Sequence, residues 1–259
     1  MRLRIDVELD YDFPAPADVL LAVEVAPLDD QRLIEDLLTV GGVGPLRPIG
    51  SGDGIGRRTW TTVERRLHAH YRAEVAVERR PAALETLPIT PLYDLPAETI
   101  AYLWPSRYCE SDRFENFVES RFAGLDGGAR IAAMAAWIRG EIDYRHGTSN
   151  TATTAVDAFV ARQGVCRDFA HLLAAFARAA GIPARLVSAY ALGLDPPDFH
   201  ALVEVWLGDG WHLVDPTCLA PVENVVRICV GRDATDIAFL TIFGQATLNA
   251  QRVTVSRAD

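Results

Sequence analysis

The sequence QGVCRDFAHLLAAFARAAGIP, residues 163–183, places a single cysteine, Cys166, directly before a strongly helical pattern. Apolar side chains recur at helical spacing, which predicts one buried face: Phe169, Leu172, Leu173, Phe176 and Ala180. Polar side chains fall on another face: Arg167, His171 and Arg178. Gly181 suits the position just after a helix, and Pro183 prevents its continuation. We therefore predict a helix packed into the core, with Cys166 in its first turn or at its cap.

The predicted position of Cys166 has a chemical consequence. The unpaired N–H groups at the start of a helix stabilise negative charge, so a thiol there favours its nucleophilic thiolate form. Gly164, two residues earlier, leaves room for the backbone of a substrate. A free cysteine, however, is most often a buried apolar residue. Cys166 alone therefore does not indicate catalysis, and a catalytic role requires partners elsewhere in the chain.

Two alternating runs, FHALVEVWL and WHLVDPT, flank Gly208-Asp209 and predict a β-hairpin with a two-residue turn. In that register Leu202 faces Asp215, and His200 faces Thr217. Residues two apart share one face of a strand, so His200 and Asp215 lie on the same face. Their backbones are then diagonal neighbours about 7–8 Å apart, within reach of a carboxylate–imidazole hydrogen bond.

His200 and Asp215 each have a simpler interpretation. The histidine fits an ordinary strand residue, and Asp-Pro is common where a strand ends in a turn. Together with Cys166 they form what a cysteine nucleophile needs, because the imidazole takes the thiol proton and the carboxylate orients the ring. We therefore expect a catalytic triad of Cys166, His200 and Asp215.

Composition limits the class of protein. The chain has 259 residues, 49% hydrophobic and 23% charged, which is typical of a soluble globular protein of one large or two modest domains. Its formal net charge of −10 argues against a nucleic-acid partner. An acidic surface suits a cationic substrate, although net charge alone does not decide this. Apolar runs are too short to span a membrane, and the alternating, acid-containing start is not the pattern expected of a signal peptide. Four cysteines without paired spacing predict a reducing, cytoplasmic location.

The first 95 residues show mainly β patterns. RLRIDVELDYDF and TWTTVERRLHAHYRAEVAVERR alternate polar and apolar residues, and QRLIEDLL between them predicts a short helix. GSGDGIG, residues 50–56, lacks the Gly-Lys-Ser/Thr ending of a phosphate-binding loop, so we interpret it as a loop leading into a strand. The proline-rich ETLPITPLYDLPAETIAYLWPSRYC predicts an extended connector.

From about Asp112 onward the pattern becomes helical. RFENFVESRF and GARIAAMAAWIRGEI predict two helices, and TATTAVDAFVARQG predicts a third that begins near Thr153 or Thr154 and ends at Gly164. After the helix of Cys166, strands are predicted by ARLVSAYAL, FHALVEVWL and WHLVDPT. Helices followed by strands predict an α+β domain in which helices pack on an antiparallel sheet. We predict an N-terminal β-rich domain with its linker at 1–105 and a catalytic domain at 106–259.

Several of these segments resemble the bacterial transglutaminase-like superfamily of cysteine proteins. The resemblance is carried by GVCRDFAH, by FHALVEVWL and by WHLVDPT, and weaker matches extend it over nearly the whole chain. It implies a papain-like core, often preceded by a β domain, with the triad on Cys166, His200 and Asp215. It also implies an oxyanion hole, for which the Cys166 N–H and the Gln163 side chain are candidate donors. Gln163 also fits a surface residue at the end of a helix.

Other residues of the sequence have weaker functional interpretations. Tyr190 and Trp206 are candidate substrate-binding residues in the cleft, although both types more often fill a core. Cys109, Cys218 and Cys229 lack the spacing of a zinc site, and His212 falls on the face opposite His200. We therefore expect neither a metal nor another cofactor.

The predicted activity is that of a cysteine protease or amidase, or of a transglutaminase-like acyl transferase, with a thioester intermediate. The predicted substrate is an amide of a peptide or protein, and neither nucleic acid nor a membrane is an expected partner. The sequence does not indicate the oligomeric state. Two alternatives stay open: a catalytically silent fold that binds peptides, and an N-acyltransferase that uses an acyl-CoA.

Overall fold

The computed structural model describes residues 1–50 and 55–258, which form three β-sheets and five α-helices. The strands are β1 Arg2–Asp12, β2 Ala17–Leu21, β3 Gln31–Val43, β4 Arg47–Gly50, β5 Arg57–Val77, β6 Asp143–Tyr144, β7 Gln163–Gly164, β8 Ala184–Ala191, β9 Phe199–Leu207, β10 Gly210–Val214, β11 Val225–Gly231, β12 Leu240–Phe243 and β13 Thr247–Arg257. The helices are α1 Glu115–Arg121, α2 Gly127–Glu141, α3 Ala155–Ala161, α4 Cys166–Ala179 and α5 Ala234–Ile237. The predicted α+β class is confirmed.

The first part of the chain builds most of a seven-stranded sheet with the order β12-β2-β5-β1-β13, in which β3 and β4 also pair with β5. Apolar and polar residues alternate along β1, and burial follows this alternation. Leu3, Ile5, Val7 and Leu9 are all buried, while the residues between them are not. One face of the strand is therefore covered and the other is polar. The covered face shares a single hydrophobic core with α4.

The helix predicted for QRLIEDLL is wrong, because these residues open strand β3. Their apolar positions fit both a helical and an extended period, so the local pattern does not distinguish the two. Strand β5 provides a ladder of hydrogen bonds, with Leu33 opposite Val75 and Leu38 opposite Tyr71. A register shift between Leu33 and Glu35 accommodates the mismatch between the spacing of the apolar residues and the strict alternation of a strand. Long-range pairing has overridden local helical preference.

The connector between the two parts of the chain contains short turns as well as extended segments. Three 3-10 turns interrupt it, at Leu84–Thr86, Leu92–Asp94 and Ala97–Tyr102. Of the predicted loop GSGDGIG, residues 51–54 lie outside the described residues, and strand β5 begins at Arg57.

Helix α3 begins where its sequence predicts. Thr154 is its N-cap: its hydroxyl accepts a hydrogen bond from Asp157 N–H at 3.3 Å, and Asp157 accepts one from Thr154 N–H at 3.0 Å. This reciprocal pair satisfies backbone donors that a helix start leaves free. The helix ends at Ala161, three residues before the predicted Gly164, because Arg162 adopts a left-handed conformation with φ of 55°. Strand β7 follows and pairs in parallel with β6.

The second large sheet is antiparallel with the order β10-β9-β8-β11, and α4 packs on β8 and β9. The apolar face predicted for α4 is buried as expected, and Gly181 has the positive φ of a helix-ending glycine. His171 and Arg178, which lie on the polar face, are both buried as well. Arg178 is tolerated there because its guanidinium donates to backbone carbonyls, including Ala184 O at 3.0 Å.

The end of the chain returns to the first sheet. Strand β12 pairs with β2, and β13 pairs with β1 over ten residues. The division into domains at 1–105 and 106–259 stays a prediction, and the sheet itself draws on both of these segments. No helix among the described residues is both long and apolar enough to cross a membrane. The cytoplasmic location stays a prediction.

Candidate active site

Cys166 is the first residue of α4 and is half-buried. The turn before it is fixed by Asp168, a fully buried residue whose Oδ2 accepts a hydrogen bond from Val165 N–H at 2.8 Å. Gly164 packs directly against this carboxylate, since a Cβ at Gly164 would lie 2.7 Å from the Asp168 Cβ. Because Gly164 has no side chain, the buried carboxylate of Asp168 can pack against it, and this contact holds Cys166 at the start of the helix.

The hairpin of β9 and β10 brings the histidine and the acid together. Its register is the one predicted from the turn, with Leu207 opposite Gly210 and Val203 opposite Val214. His200 is the second residue of β9, and Asp215 directly follows β10. His200 Nε2 donates a hydrogen bond to Asp215 Oδ2 at 2.9 Å, and both side chains are buried.

Asp215 is held as an ionised hydrogen-bond acceptor. Its Oδ1 accepts from Thr217 N–H at 2.8 Å and from the Thr217 hydroxyl at 2.6 Å, and its Oδ2 also accepts from Ala220 N–H at 3.0 Å. Burial raises the pKa of the carboxyl, but the hydrogen bonds from His200, Thr217 and Ala220 outweigh burial and lower the pKa below its ordinary value. The carboxylate is therefore fixed in both charge and direction.

His200 lies between this carboxylate and the thiol. Burial lowers the pKa of the ring, but hydrogen bonds to Asp215 and Cys166 and the negative charges of both partners raise it from 6.5 to about 9. Because Nε2 is used by Asp215, Nδ1 is the ring nitrogen left for the sulfur. An imidazole so arranged can hold a proton beside a thiolate at neutral pH.

Tyr144 is a third neighbour of Cys166, and no pattern in the sequence indicated it. Strand β6 pairs in parallel with β7, and this pairing carries Tyr144 to the turn before α4. The Tyr144 hydroxyl lies beside both the backbone and the side chain of Cys166. Burial and the nearby Cys166 raise the pKa of this hydroxyl above its ordinary value of 10.0, so it keeps its proton. A neutral hydroxyl beside the thiol can donate to developing negative charge.

Two clefts meet at Cys166 and His200. The first, which we call the apolar cleft, has a volume of about 510 Å³ and includes Ile237, Phe239 and Leu240. The second, which we call the acidic cleft, has a volume of about 280 Å³ and includes Tyr144, Asp195 and Asp198. Both are lined by Cys166, Phe199 and His200. A substrate can therefore reach the thiol from either side.

Known proteins share this architecture. The family model of the transglutaminase-like superfamily matches residues 112–216. The crystal structure of a candidate cysteine protease from Cytophaga hutchinsonii matches with a TM-score of 0.93 and 32% identity, covering 100% of this chain and 91% of that chain. The chain belongs to the transglutaminase-like superfamily. The resemblance predicted from GVCRDFAH and the hairpin is thus confirmed.

Two curated relatives of this transglutaminase-like chain share only a segment with it. An uncharacterised protein of Mycobacterium leprae is 38% identical over 120 residues, which cover 42% of this chain and 42% of that protein. A protein-glutamine gamma-glutamyltransferase of Pseudomonas aeruginosa is 40% identical over 88 residues, which cover 29% of this chain and 13% of that protein. The chain therefore matches less than half the length of either relative.

The structure does not bring three of the predicted residues into the clefts of this transglutaminase-like site. Gln163 is half-buried in β7 and is absent from the described lining of both clefts. Tyr190 is fully buried and donates its hydroxyl proton to Val23 O at 2.5 Å. Trp206 lies six residues along β9 from His200, or about 20 Å, and packs on Trp211. Tyr190 therefore fills the core, and Trp206 packs far from the thiol.

The other three cysteines have different surroundings. All four thiols in the chain are free. Burial raises the pKa of Cys109 to about 12. Cys229 is also buried, with its Sγ 3.0 Å from Ser188 Oγ, and burial raises its pKa as well. Cys218 is exposed but belongs to the turn after Asp215. Cys218 is therefore the natural control for the reactivity of Cys166.

One group among the described residues has the spacing of metal ligands: Asp6, Glu8 and His70, whose ligand atoms lie within 4.8 Å of one another. They belong to β1 and β5 of the first sheet. Arg252 lies 3.6 Å from Asp6 and 2.9 Å from Glu8, so its guanidinium already forms ion pairs with both carboxylates. The predicted absence of a metal or other cofactor stays a prediction.

Proposed function

We propose that this protein is a cysteine-dependent amide hydrolase or acyl transferase that forms a thioester on Cys166. The substrate is an amide of a peptide or protein. The observation that carries the proposal is the 2.9 Å hydrogen bond from His200 to the buried Asp215, made by a ring whose other nitrogen is left for the sulfur at the start of α4. This is the arrangement that a cysteine nucleophile requires.

In the first half of the proposed reaction, the Cys166 thiolate attacks the amide carbonyl carbon, and a C–S bond forms as the carbonyl becomes a tetrahedral oxyanion. His200 then transfers its Nδ1 proton to the amide nitrogen. The C–N bond breaks, the amine leaves and the thioester remains. Asp215 stabilises the imidazolium and holds the ring in position throughout.

In the second half, neutral His200 takes a proton from water as the water oxygen attacks the thioester. The C–S bond breaks, the carboxylic acid leaves, and the thiolate–imidazolium pair is restored. When a primary amine takes the place of water, the product is a new amide. Hydrolysis and transfer therefore share every catalytic group and differ only in the acceptor.

We assign the Cys166 N–H and the Tyr144 hydroxyl to the oxyanion. Both groups lie at the turn before α4, and the hydroxyl keeps its proton at neutral pH. Preformed donors of this kind typically contribute about 10²- to 10³-fold each to the rate. In this proposal Tyr144 takes the role of side-chain oxyanion donor, for which Gln163 was a candidate from the sequence.

Two observations bear on the alternatives. The name of the Pseudomonas aeruginosa relative, which matches 29% of this chain, supports keeping acyl transfer to amines beside hydrolysis. The buried hydrogen bonds of His200 and Asp215 favour catalysis over a silent peptide-binding fold, since unused buried ionisable groups carry a cost in stability. An N-acyltransferase would form the same thioester from an acyl-CoA.

The test is direct detection of the acyl-enzyme. The protein is mixed with p-nitrophenyl acetate or a peptide amide library, quenched in acid, and mapped by mass spectrometry. We expect an acyl group on Cys166 in the wild type and in a Cys218→Ala control, and none in Cys166→Ala. Acylation of Cys218 alone, or equal release of product by Cys166→Ala, would contradict the proposal. Added primary amines then divide the product between acid and new amide, and acetyl-CoA replaces the ester to test the third alternative.

A further inference from the structure

The wall of the apolar cleft comes from the end of the chain. Residues 237–242 contribute Ile237, Phe239, Leu240 and Ile242 to it. The first sheet fixes this segment, because β12 pairs with β2 and Ala22 N–H donates to Phe239 O at 2.9 Å. Leu240 and Ile242 therefore lie in the sheet itself and Phe239 is hydrogen-bonded to it, so the wall is held in place and can select the shape of a substrate.

Positive charge lies at the same cleft. Arg107 is exposed, and its guanidinium rests 5.0 Å from the centre of the Tyr108 ring. Arg167 donates to Asn150 O at 2.7 Å, and the buried Asp168 lies 3.6 Å from it and balances part of its charge. Neither aspartate nor glutamate is found among the described lining residues of this cleft. A cationic group that enters this cleft would be repelled by Arg107, and none of the described lining residues carries a negative charge to compensate.

The acidic cleft has the opposite character. Asp195 and Asp198 are both exposed there, and its described lining contains neither lysine nor arginine. Asp198 is held in place, since its Oδ1 accepts from Phe199 N–H at 2.7 Å and from the Gln251 amide at 2.6 Å. Gln251 belongs to β13, so the first sheet supports this cleft as well. Two exposed carboxylates, one of them held by hydrogen bonds, favour a cationic ligand.

An aromatic pair separates the two clefts. Phe199 lines both of them and stacks on Phe239 with ring centres 4.1 Å apart and planes 2° from parallel. Since Cys166 and His200 also line both clefts, an amide whose carbonyl reaches the sulfur extends one end into each. The two ends of the substrate then experience opposite charge.

We propose that the substrate is an amide with an apolar, uncharged group on one side of the scissile bond and a cationic group on the other. The apolar group lies against Phe239 and Ile242, and the cationic group lies beside Asp195 and Asp198. This inference rests on the proposed function, because it concerns the substrate of the same thiol. Opposite charges in the two clefts fix the direction of the substrate by rejecting the reversed orientation as well as by binding the correct one.

The experiment uses four peptides that differ only in the two residues beside the scissile amide: Leu–Leu, Leu–Lys, Lys–Leu and Lys–Lys. We expect one of the mixed peptides to have the highest kcat/KM, about tenfold above Leu–Leu, and Lys–Lys and the reversed peptide to be the poorest. The advantage over Leu–Leu falls in about 1 M NaCl, where the Debye length is about 3 Å. Equal kcat/KM for the two mixed peptides would overturn the proposal.

Variants assign the preference to the clefts. In the double variant Asp195→Asn/Asp198→Asn, we expect the preferred mixed peptide to fall to the level of Leu–Leu. An Asp209→Asn control, which changes an exposed acid in the turn between β9 and β10, retains the preference. Arg107→Glu raises kcat/KM for Lys–Lys. An unchanged preference in the double variant would overturn the proposal.

Acylation by p-nitrophenyl acetate separates this inference from the proposed function. The acetyl group carries no side chain into either cleft, so its reaction tests only the thiol and its histidine. Acylation of Cys166 without any charge preference among the peptides would contradict the inference about the substrate but not the proposed function. Failure of every substrate to acylate Cys166 sinks both.

Discussion

His200 is subject to opposing influences at the scale of a single residue. Burial disfavours the imidazolium, while Asp215 and Cys166 favour it strongly enough to raise the pKa of the ring to about 9. The raised pKa means that the ring keeps its proton at neutral pH and loses it as the pH rises through about 9. A proton donor is therefore present below that pH and absent above it.

We predict different pH profiles for two reactions of Cys166. Turnover of a peptide amide declines as the pH rises through about 9, because expulsion of the amine needs the proton of His200. Alkylation by iodoacetamide needs only the thiolate, so its rate does not decline there. Stopped assays from pH 5 to 10 measure both rates, and parallel decline of the two above pH 9 would show that His200 is not the donor.

Asp215→Asn is expected to reduce kcat by about 10²- to 10⁴-fold, because the uncharged asparagine side chain does not stabilise the imidazolium of His200 as the carboxylate does. The loss of the carboxylate also removes an interaction that raises the pKa of His200. The descending limb of the amide profile therefore moves to lower pH. Asp209→Asn is the control for a change of net charge. A variant with low kcat but an unshifted limb would assign to Asp215 a structural role only.

At the scale of elements, the start of α4 depends on the absence of a side chain at Gly164. In Gly164→Ala the new Cβ would lie 2.7 Å from the Asp168 Cβ and 2.9 Å from its Oδ2. Asp168 is fully buried and bonded to Val165 N–H, so it cannot move aside without losing that bond. We expect a loss of about 1–3 kcal/mol in the free energy of unfolding and slower acylation of Cys166.

Gly140→Ala is the matched control for this prediction. Gly140 lies in α2, and a Cβ there would meet no atom within 4 Å. Alanine in a helix is favoured over glycine by up to about 1 kcal/mol, so this variant is expected to be unchanged or slightly more stable. Urea unfolding measures both variants, and equal stability of the two would contradict the role assigned to Gly164.

Some elements of the structure could be predicted from the sequence, and others could not. Helix α4 and the hairpin of β9 and β10 follow from local periodicity and turn residues, and the hairpin alone suffices to bring His200 to Asp215. Strand β3 could not be predicted locally, because its apolar residues fit two periods and only β5 selects one. Tyr144 was missed because a two-residue parallel pairing with β7, 20 residues away, leaves no pattern in the sequence.

At the scale of the whole molecule, buried charges join the two large sheets. Glu204 on β9 is fully buried and pairs with Arg185, whose Nε lies 2.7 Å from its Oε2, and with Arg227. Arg227 also pairs with Asp30, which in turn pairs with Arg79 at 2.7 Å beside the first sheet. The network therefore links the sheet that carries His200 to the first sheet, which supplies part of the wall of the apolar cleft and holds Asp198 of the acidic cleft through Gln251.

Glu204→Gln tests this link. Removing one charge leaves Arg185 and Arg227 buried with less compensation, and such a loss typically costs about 3–5 kcal/mol. We expect lower stability in urea unfolding, whereas Glu223→Gln, at an exposed acid without a described ion pair, is expected to remain close to wild type. Because the first sheet holds the cleft walls, the peptide charge preference of Glu204→Gln should weaken before acylation by p-nitrophenyl acetate does. Slower acylation by p-nitrophenyl acetate with an unchanged charge preference among the peptides would mean that the network supports the triad directly and not the clefts.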